Sequence, residues 1–357
     1  MADLDTVLAH LDADQDAALE RLFDFLRIES ISTDPAYKGA VRDAADWLVA
    51  DLERIGFAAK RHDTDGHPMV VAEAGSGAPH LMFYGHYDVQ PVDPLDLWET
   101  PPFEPVITEQ AGSQVIRARG AGDDKGQLMT FVEACRAYMA TGGELPCRIT
   151  LFFEGEEESG SPSLVPFLEA NKGLVTADLA LVCDTGMWDA QTPAITTSLR
   201  GMVAEEVTIT GPSKDLHSGA YGGPAINPIR VLTAMLAGLH DETGRITLPG
   251  FYDGVPALSA DMKADWEALG FDADAFLGEV DLSHPAGETG FSALEQIWAR
   301  PTCEINGISG GYAGPGFKTV LPSTAMAKVS FRLVGAQDPD AIKAAFIQYV
   351  KDSLPPD

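Results

Sequence analysis

The chain is predicted to be an α/β protein: a doubly wound, mostly parallel sheet followed by a ferredoxin-like α+β domain. Three observations predict it. Short apolar runs alternate with helical patterns up to about residue 198. Four of those runs, residues 81–84, 115–118, 149–153 and 179–182, are each followed within a few residues by acidic or imidazole residues. Each run reads as a buried strand of a parallel sheet, and in such sheets the ligand site gathers where the strands end. Beyond about residue 200 the order becomes strand, helix, strand, strand, helix, which is a ferredoxin-like two-layer unit lacking its last strand.

The elements follow from local pattern. Residues 14–27 place Leu19, Leu22, Phe23 and Leu26 at helical spacing. Residues 38–55 repeat this with Val41, Ala45, Leu48, Leu52 and Ile55, and Gly56 is the expected C-terminal cap. Residues 57–62 and 69–73 read as strands, and residues 90–105 as a Pro-rich loop. Residues 127–140 form a helix with Leu128, Phe131, Val132 and Cys135 on one face. The boundary is placed at Leu199-Arg200-Gly201, giving domains 1–199 and 200–357. In the second, 204–210, 304–308 and 326–333 read as strands, and 224–239 and 338–350 as helices opened by proline. Residues 241–300, rich in Asp, Gly and Pro, read as irregular.

Composition bounds the function. A chain of 357 residues favours two domains, and 45% hydrophobic residues are enough for large cores. The formal net charge of −30 argues against nucleic-acid binding, which needs a basic face. No apolar run is long enough to span a membrane, and the start of the chain lacks the pattern of a signal peptide. Cys135, Cys147, Cys183 and Cys303 are scattered without metal-type spacing, so they read as reduced thiols of a cytoplasmic protein.

The strand-end clusters carry the chemistry. His86 and Asp88 lie two apart, so a persisting strand points both to one side. His86 would bind metal and Asp88 would take the hydrogen bond of its other ring nitrogen; an ordinary core or surface His fits the same pattern. Asp123 follows Gly120 and Gly122, where a carboxylate can bridge two cations, although Asp123-Asp124 also suits a turn and helix cap. Glu156-Glu157-Glu158 reads either as a solvated loop or as adjacent acids dividing labour, one on metal and one moving a proton. Asp184 repeats the placement after residues 179–183. Together they suit a pair of zinc ions.

These motifs resemble one family. Gly85-His86-Tyr87-Asp88-Val89-Gln90-Pro91, Gly122-Asp123-Asp124-Lys125-Gly126 and the run from Glu154 to Ser161 match, in order and spacing, the dizinc aminoacylase and carboxypeptidase metallopeptidases. That family includes acetylornithine deacetylase, succinyl-diaminopimelate desuccinylase, glutamate carboxypeptidase and carnosine dipeptidase, and the chain is most similar to its dipeptidase branch. The run from Asp215 to Gly223 and Lys318-Thr319-Val320-Leu321-Pro322 match the family's second domain.

The resemblance implies that residues 1–199 belong to a metal-binding catalytic domain and 200–357 to a dimerisation or lid domain. It implies that His86 and Asp184 hold one zinc, Glu158 the other, and that Asp123 bridges them, with manganese or cobalt as alternative metals. Glu157 would be the general acid/base, Asp88 would orient His86, and the Asp123-Asp124 peptide would be cis. His217 would serve the partner protomer's site in a homodimer and stabilise an oxyanion. Thr319 and Arg332 would contact the substrate's backbone or carboxylate; the ordinary alternatives are a turn-capping His and a solvated strand Arg. Family members carry a later His ligand, whereas no His follows His284 here. The expectation is therefore a chain lacking the C-terminal part of the family fold, with only Asp123 and Glu158 left for one ion.

The implied activity is hydrolysis of an amide bond in a dipeptide or N-acyl amino acid by metal-activated water. The alternatives are an N-acyl amino acid deacylase or desuccinylase, and an inactive dimerisation or binding protein.

Overall fold

The structure is a computed structural model that describes every residue except Met1, Ala111, Ala190, Gln191 and Asp357. It divides into two units, residues 1–195 and 196–357. The first opens with helices α1 (Leu4–Ala13), α2 (Gln15–Leu26) and α3 (Lys38–Ile55). Helix α1 was not anticipated, although Asp3 is a good N-cap whose side chain accepts from the Thr6 amide. Helix α3 stops at Gly56, which takes the left-handed conformation that only glycine adopts cheaply (φ 108°).

Strands β1 (Ala58–His62), β2 (Met69–Ala74) and β3 (His80–His86) follow, then the hairpin β4 (Val106–Gln110) and β5 (Ser113–Arg117). Helix α4 (Lys125–Gly142), strand β6 (Arg148–Glu154), helix α5 (Leu164–Ala170) and strand β7 (Leu179–Val182) complete the unit. The main sheet has the order β1-β2-β6-β3-β7. Strand β3 runs parallel to β6 and β7, whereas β2 is antiparallel to β1 and β6. The predicted α/β class therefore holds, with parallel pairing confined to three strands.

Strand β6 is central and apolar because both its faces are covered. On one side Leu151 and Phe153 join Leu48, Leu52, Leu128 and Val132 of α3 and α4. On the other Phe152 packs with Met69, Val71 and Phe167 of α5.

Two expectations fail here. Residues 115–118 are not in the parallel sheet: β5 pairs only with β4, as a separate antiparallel hairpin. A short apolar run does not reveal its partner, and the preceding Pro-rich loop carries this one away from the sheet. Strand β7 is not buried, since Leu179 and Val182 are more than half exposed.

The second unit contains β8 (Gly201–Thr210), β9 (Leu216–His217), α6 (Ser218–Tyr221) and α7 (Pro228–Ala237). Next come α8 (Ala260–Ala268), α9 (Ala273–Gly278) and α10 (Ala293–Trp298). It continues with β10 (Thr302–Gly310), β11 (Val320–Leu321), β12 (Thr324–Leu333) and α11 (Pro339–Asp352). The sheet order β10-β12-β8 is that of the first three strands of a ferredoxin-like unit. Its inner face packs Val207, Ile209, Val329 and Phe331 against Leu232 of α7 and Phe346 of α11. Residues 241–300 are not irregular throughout, because α8, α9 and α10 lie there. Each is started by a side-chain cap, Ser259, Asp272 or Ser292, and Ser292 with Glu295 forms a complete capping box. Among the described residues no helix is long and apolar enough to cross a membrane.

The central strand yields a test of the core. Leu151 is fully buried in β6, so Leu151→Ala is expected to destabilise the chain by about 2–5 kcal/mol through lost burial and a residual cavity. Denaturant unfolding measures this, and a change below about 1 kcal/mol would show that the strand is not packed on both faces.

Candidate metal and catalytic site

The ends of β3, β6 and β7 lie side by side. They deliver His86, Glu154 with the acidic turn after it, and Cys183-Asp184 to one edge of the sheet. Asp123 arrives on the loop before α4. That loop is tight because Gly126 packs directly on Ala121: a Cβ at Gly126 would lie 1.9 Å from the Ala121 carbonyl oxygen. The Asp123-Asp124 peptide is cis, as the resemblance implies.

His86 is fully buried and its two ring nitrogens face different groups. Nδ1 lies 3.1 Å from the Asp88 carbonyl oxygen and 3.3 Å from Asp88 Oδ1. Nε2 lies 3.0 Å from Asp123 Oδ1 and 3.8 Å from Asp184 Oδ2. A proton on Nδ1 satisfies Asp88 and leaves the Nε2 lone pair toward the two other acids. The candidate ligand atoms of His86, Asp123 and Asp184 all fall within 4.8 Å of one another. The structure thus brings these three together.

Glu158 is not in that group. Its Oε2 accepts from Gln90 Nε2 at 2.5 Å. Its backbone is nevertheless tied to the same centre, because the buried Asp88 carboxylate accepts from the Glu157 amide at 3.2 Å and the Glu158 amide at 3.0 Å. One side chain therefore faces the His86 imidazole and anchors the turn that carries Glu157, the candidate general acid/base, and Glu158, a candidate metal ligand.

Other groups here were not read from the sequence. Glu156 is 2% exposed and binds backbone: its carboxylate accepts from the His67 amide at 2.6 Å and the Ser163 amide at 2.9 Å. Glu154, also buried, accepts from the Tyr84 hydroxyl and from the Ser161 hydroxyl. Asp124 Oδ2 accepts from the His86 amide at 3.0 Å. That approach needs Gly85, where a Cβ would come within 2.9 Å of Asp124 Oδ2. Lys125 is fully buried but points away, donating to the carbonyls of Phe25 at 3.0 Å and Ile28 at 2.7 Å. Glu156 and Gln90 stood inside quoted motifs, but nothing in the sequence marked them as supports.

The electrostatics call for a cation. Among the described residues Asp123, Asp184, Glu157 and Glu158 have no Lys or Arg partner. Two like charges 4 Å apart repel by about 4 kcal/mol at an effective dielectric near 20. Burial raises the pKa of Glu157, Glu158 and Asp184, and neighbouring carboxylates add to it. Burial raises Asp124 to about 7. Burial disfavours the His86 cation, yet the Asp88 hydrogen bond and the charges of Asp88, Asp124 and Glu157 outweigh it and push His86 up to about 10. A divalent ion on these His and carboxylate donors would replace that proton and offset the repulsion, so the residues present fit a metal site.

The residues expected from the second unit lie elsewhere on the chain. His217 is exposed, and its Nδ1 accepts from the Gly219 amide at 3.0 Å. That leaves the Nε2 proton for Thr319 Oγ1, 3.2 Å away. The pair is held where β9 meets β11. Arg332 is on the open face of β12, beside Met202 of β8.

The chain resembles known proteins over nearly its whole length. It is 29% identical over 361 residues to Cys-Gly metallodipeptidase dug1 of Schizosaccharomyces pombe, covering 97% of this chain and 75% of the relative. It is 31% identical over 366 residues to Beta-Ala-His dipeptidase of Homo sapiens, covering 98% and 71%. The solved structure of the dipeptidase Dug1p from Saccharomyces cerevisiae superposes with a TM-score of 0.84 at 28% identity, covering 98% of this chain and 76% of that one. These relatives favour neither the deacylase nor the non-catalytic alternative. A family model described as Peptidase family M20/M25/M40 matches residues 82–348. The match begins within β3, which ends at His86, and runs into α11, and so the chain is a metallopeptidase of peptidase family M20/M25/M40.

Proposed function

We propose that this metallopeptidase is a dipeptidase that uses two divalent ions, with Glu157 moving the proton. The observation that carries the reading is Asp88, whose single carboxylate ties His86 to the Glu157-Glu158 turn. The relatives named for Cys-Gly and Beta-Ala-His dipeptides support the substrate class.

In this reading His86 and Asp184 would hold one ion, Glu158 would hold the other, and Asp123 would serve both. Zinc suits a His and carboxylate donor set, with manganese and cobalt as alternatives. The metal would supply Lewis acidity toward the scissile carbonyl and toward water. Glu157 accepts the proton of the attacking water and returns it to the departing amine. A pKa raised by burial brings this carboxylate closer to working pH. His217 donates a hydrogen bond from Nε2 to the developing oxyanion, the role of an oxyanion donor. Thr319 and Arg332 bind the substrate's backbone and carboxylate. We further propose a homodimer in which His217 serves the partner protomer. Four free thiols support a cytoplasmic setting.

Three outcomes are expected. His86 is pushed up to about 10 without metal, so at pH 8 it carries a proton that it must lose to become a ligand. Loading the metal-free chain should therefore release about one proton at the His86 ion. Calorimetry in buffers of different ionisation heat reads this, and no proton release would remove His86 from the ligand set.

Glu157→Gln keeps shape but cannot take a proton, so kcat should fall by about 10²–10⁴-fold while metal content stays normal. Glu158→Gln should lose metal. The reverse pattern of metal contents would exchange the two roles.

His217→Ala should lower kcat by about 10²–10³-fold, the scale for one oxyanion donor. Mixing His217→Ala chains with Glu157→Gln chains should restore part of the activity. No rescue after verified subunit exchange would confine His217 to its own chain or exclude it.

A further inference from the structure

We propose that a cavity beside the Gly122-Asp123 loop receives the side chain of the substrate's N-terminal residue and favours a large apolar one. This rests on the dipeptidase reading above and adds what the enzyme selects. The cavity has a volume of about 640 Å³ and is built entirely within the first unit. Leu97 and Trp98 of the Pro-rich loop form one wall, Ile116 and Ala118 of the β5 arm form another, and Ala121 and Gly122 close one end. Gly122 is the immediate neighbour of Asp123, whose Oδ1 lies 3.0 Å from His86 Nε2. Consecutive Cα atoms are about 3.8 Å apart, so one end of the cavity lies one residue along the chain from a proposed metal ligand.

The walls are preformed and mostly apolar; Asp93, Thr100 and the Glu99–Arg117 pair, 3.6 Å apart, add polar groups to the lining. The Trp98 indole donates to the Val92 carbonyl at 2.8 Å, and the Arg119 guanidinium lies 5.2 Å from its ring centre. Leu97 lines the cavity yet is 76% exposed, so an apolar occupant would remove that surface from water at a gain. The closed end has space, since a Cβ on Gly122 would meet nothing within 4 Å. A dry cavity of about 150 Å³ already accepts a benzene ring, so this one takes any natural side chain. Arg332 is proposed for the substrate's carboxylate, which belongs to its C-terminal residue. The side chain left for the first unit is that of the residue whose carbonyl is attacked.

The test uses metal-loaded full chain and the dipeptides Phe-Gly, Leu-Gly, Ala-Gly and Gly-Gly. Wild type should show kcat/KM for Phe-Gly and Leu-Gly at least about tenfold above Gly-Gly. In the double variant Leu97→Ser, Ile116→Ala that ratio should fall about five- to tenfold. Gly122→Val, which fills the cavity from its closed end, should lower the same ratio with KM for Phe-Gly rising. A thermal melt confirms folding of each variant, and Leu97→Ser alone, changing an exposed side chain, replaces the double variant if the latter does not fold. Dipeptide turnover without bias for the large side chains, or variants with an unchanged ratio, would overturn the pocket alone. No turnover of any of the four dipeptides would overturn the dipeptidase reading and the pocket with it.

Discussion

A buried carboxylate, Asp88, holds the site in register with the fold. It is inaccessible to solvent, it faces His86 Nδ1 at 3.3 Å, and it accepts the Glu157 and Glu158 amides. Removing a charge from water costs several kcal/mol unless its lone pairs are met. Hydrogen bonds to charged groups return about 1.5–3 kcal/mol each, so Asp88 is tolerable only while strand β3 and the acidic turn are both in place. The requirement also runs the other way. If the turn moves, Asp88 loses its amides, and if His86 moves, the carboxylate loses its cationic or metal-linked partner. The placement of the Glu157-Glu158 turn and local stability are thus the same constraint.

The acidic run after β6 shows how few of its carboxylates are left for chemistry. Glu154 is used on hydroxyls and Glu156 on two amides, while Glu158 accepts from the Gln90 amide at the edge of the sheet and Glu157 lies beside it. Buried structural acids of this kind fix the turn from below. The negative potential that raises the His86 pKa against its burial comes from other acids, Asp88, Asp124 and Glu157. Lys125 could have neutralised part of that charge. Instead it is drawn to the carbonyls of Phe25 and Ile28 at the end of α2 and over the Phe25 ring. Burial pulls its pKa down to about 7, against the Asp88 charge. The protein keeps its nearest cation out of the cluster, which leaves the compensating charge to be supplied from outside.

Much of this was legible in the sequence and some was not, for physical reasons. The strand-end placement of His86 and Asp184 could be read because a short apolar run followed by such residues is unusual and has few structural explanations when repeated, whereas Asp123 reaches the same edge on the loop before α4. The helical pattern of residues 38–55 and its Gly56 stop were equally clear, since period and cap agree. The hairpin β4–β5 was misplaced because residues 115–118 are as apolar as a sheet strand, and pairing partners depend on long-range geometry. Helices α8, α9 and α10 were missed because they are too short for a 3.6-residue period to emerge, so that caps such as Ser292 with Glu295 were the remaining signal. Glu156 could not be told from Glu157 and Glu158, because three identical residues in a row differ only in where the backbone turn points them.

The two units solve different problems with different degrees of rigidity. In the first, His86 and Asp88 are buried and each is held by several partners, so the imidazole has little freedom. In the second, His217 and Thr319 are exposed and lean on each other across a two-residue strand pair. A single neutral hydrogen bond of that kind is worth only about 0.5–1.5 kcal/mol, too little to fix a side chain against solvent. Groups that transfer protons need tight placement before the substrate arrives, because a displaced base costs rate directly. Groups that recognise a substrate can be ordered by it, with the cost drawn from binding energy. The two sets differ accordingly: buried partners hold His86 and Asp88, and exposed polar contacts leave the proposed substrate-side groups His217 and Thr319 able to adjust.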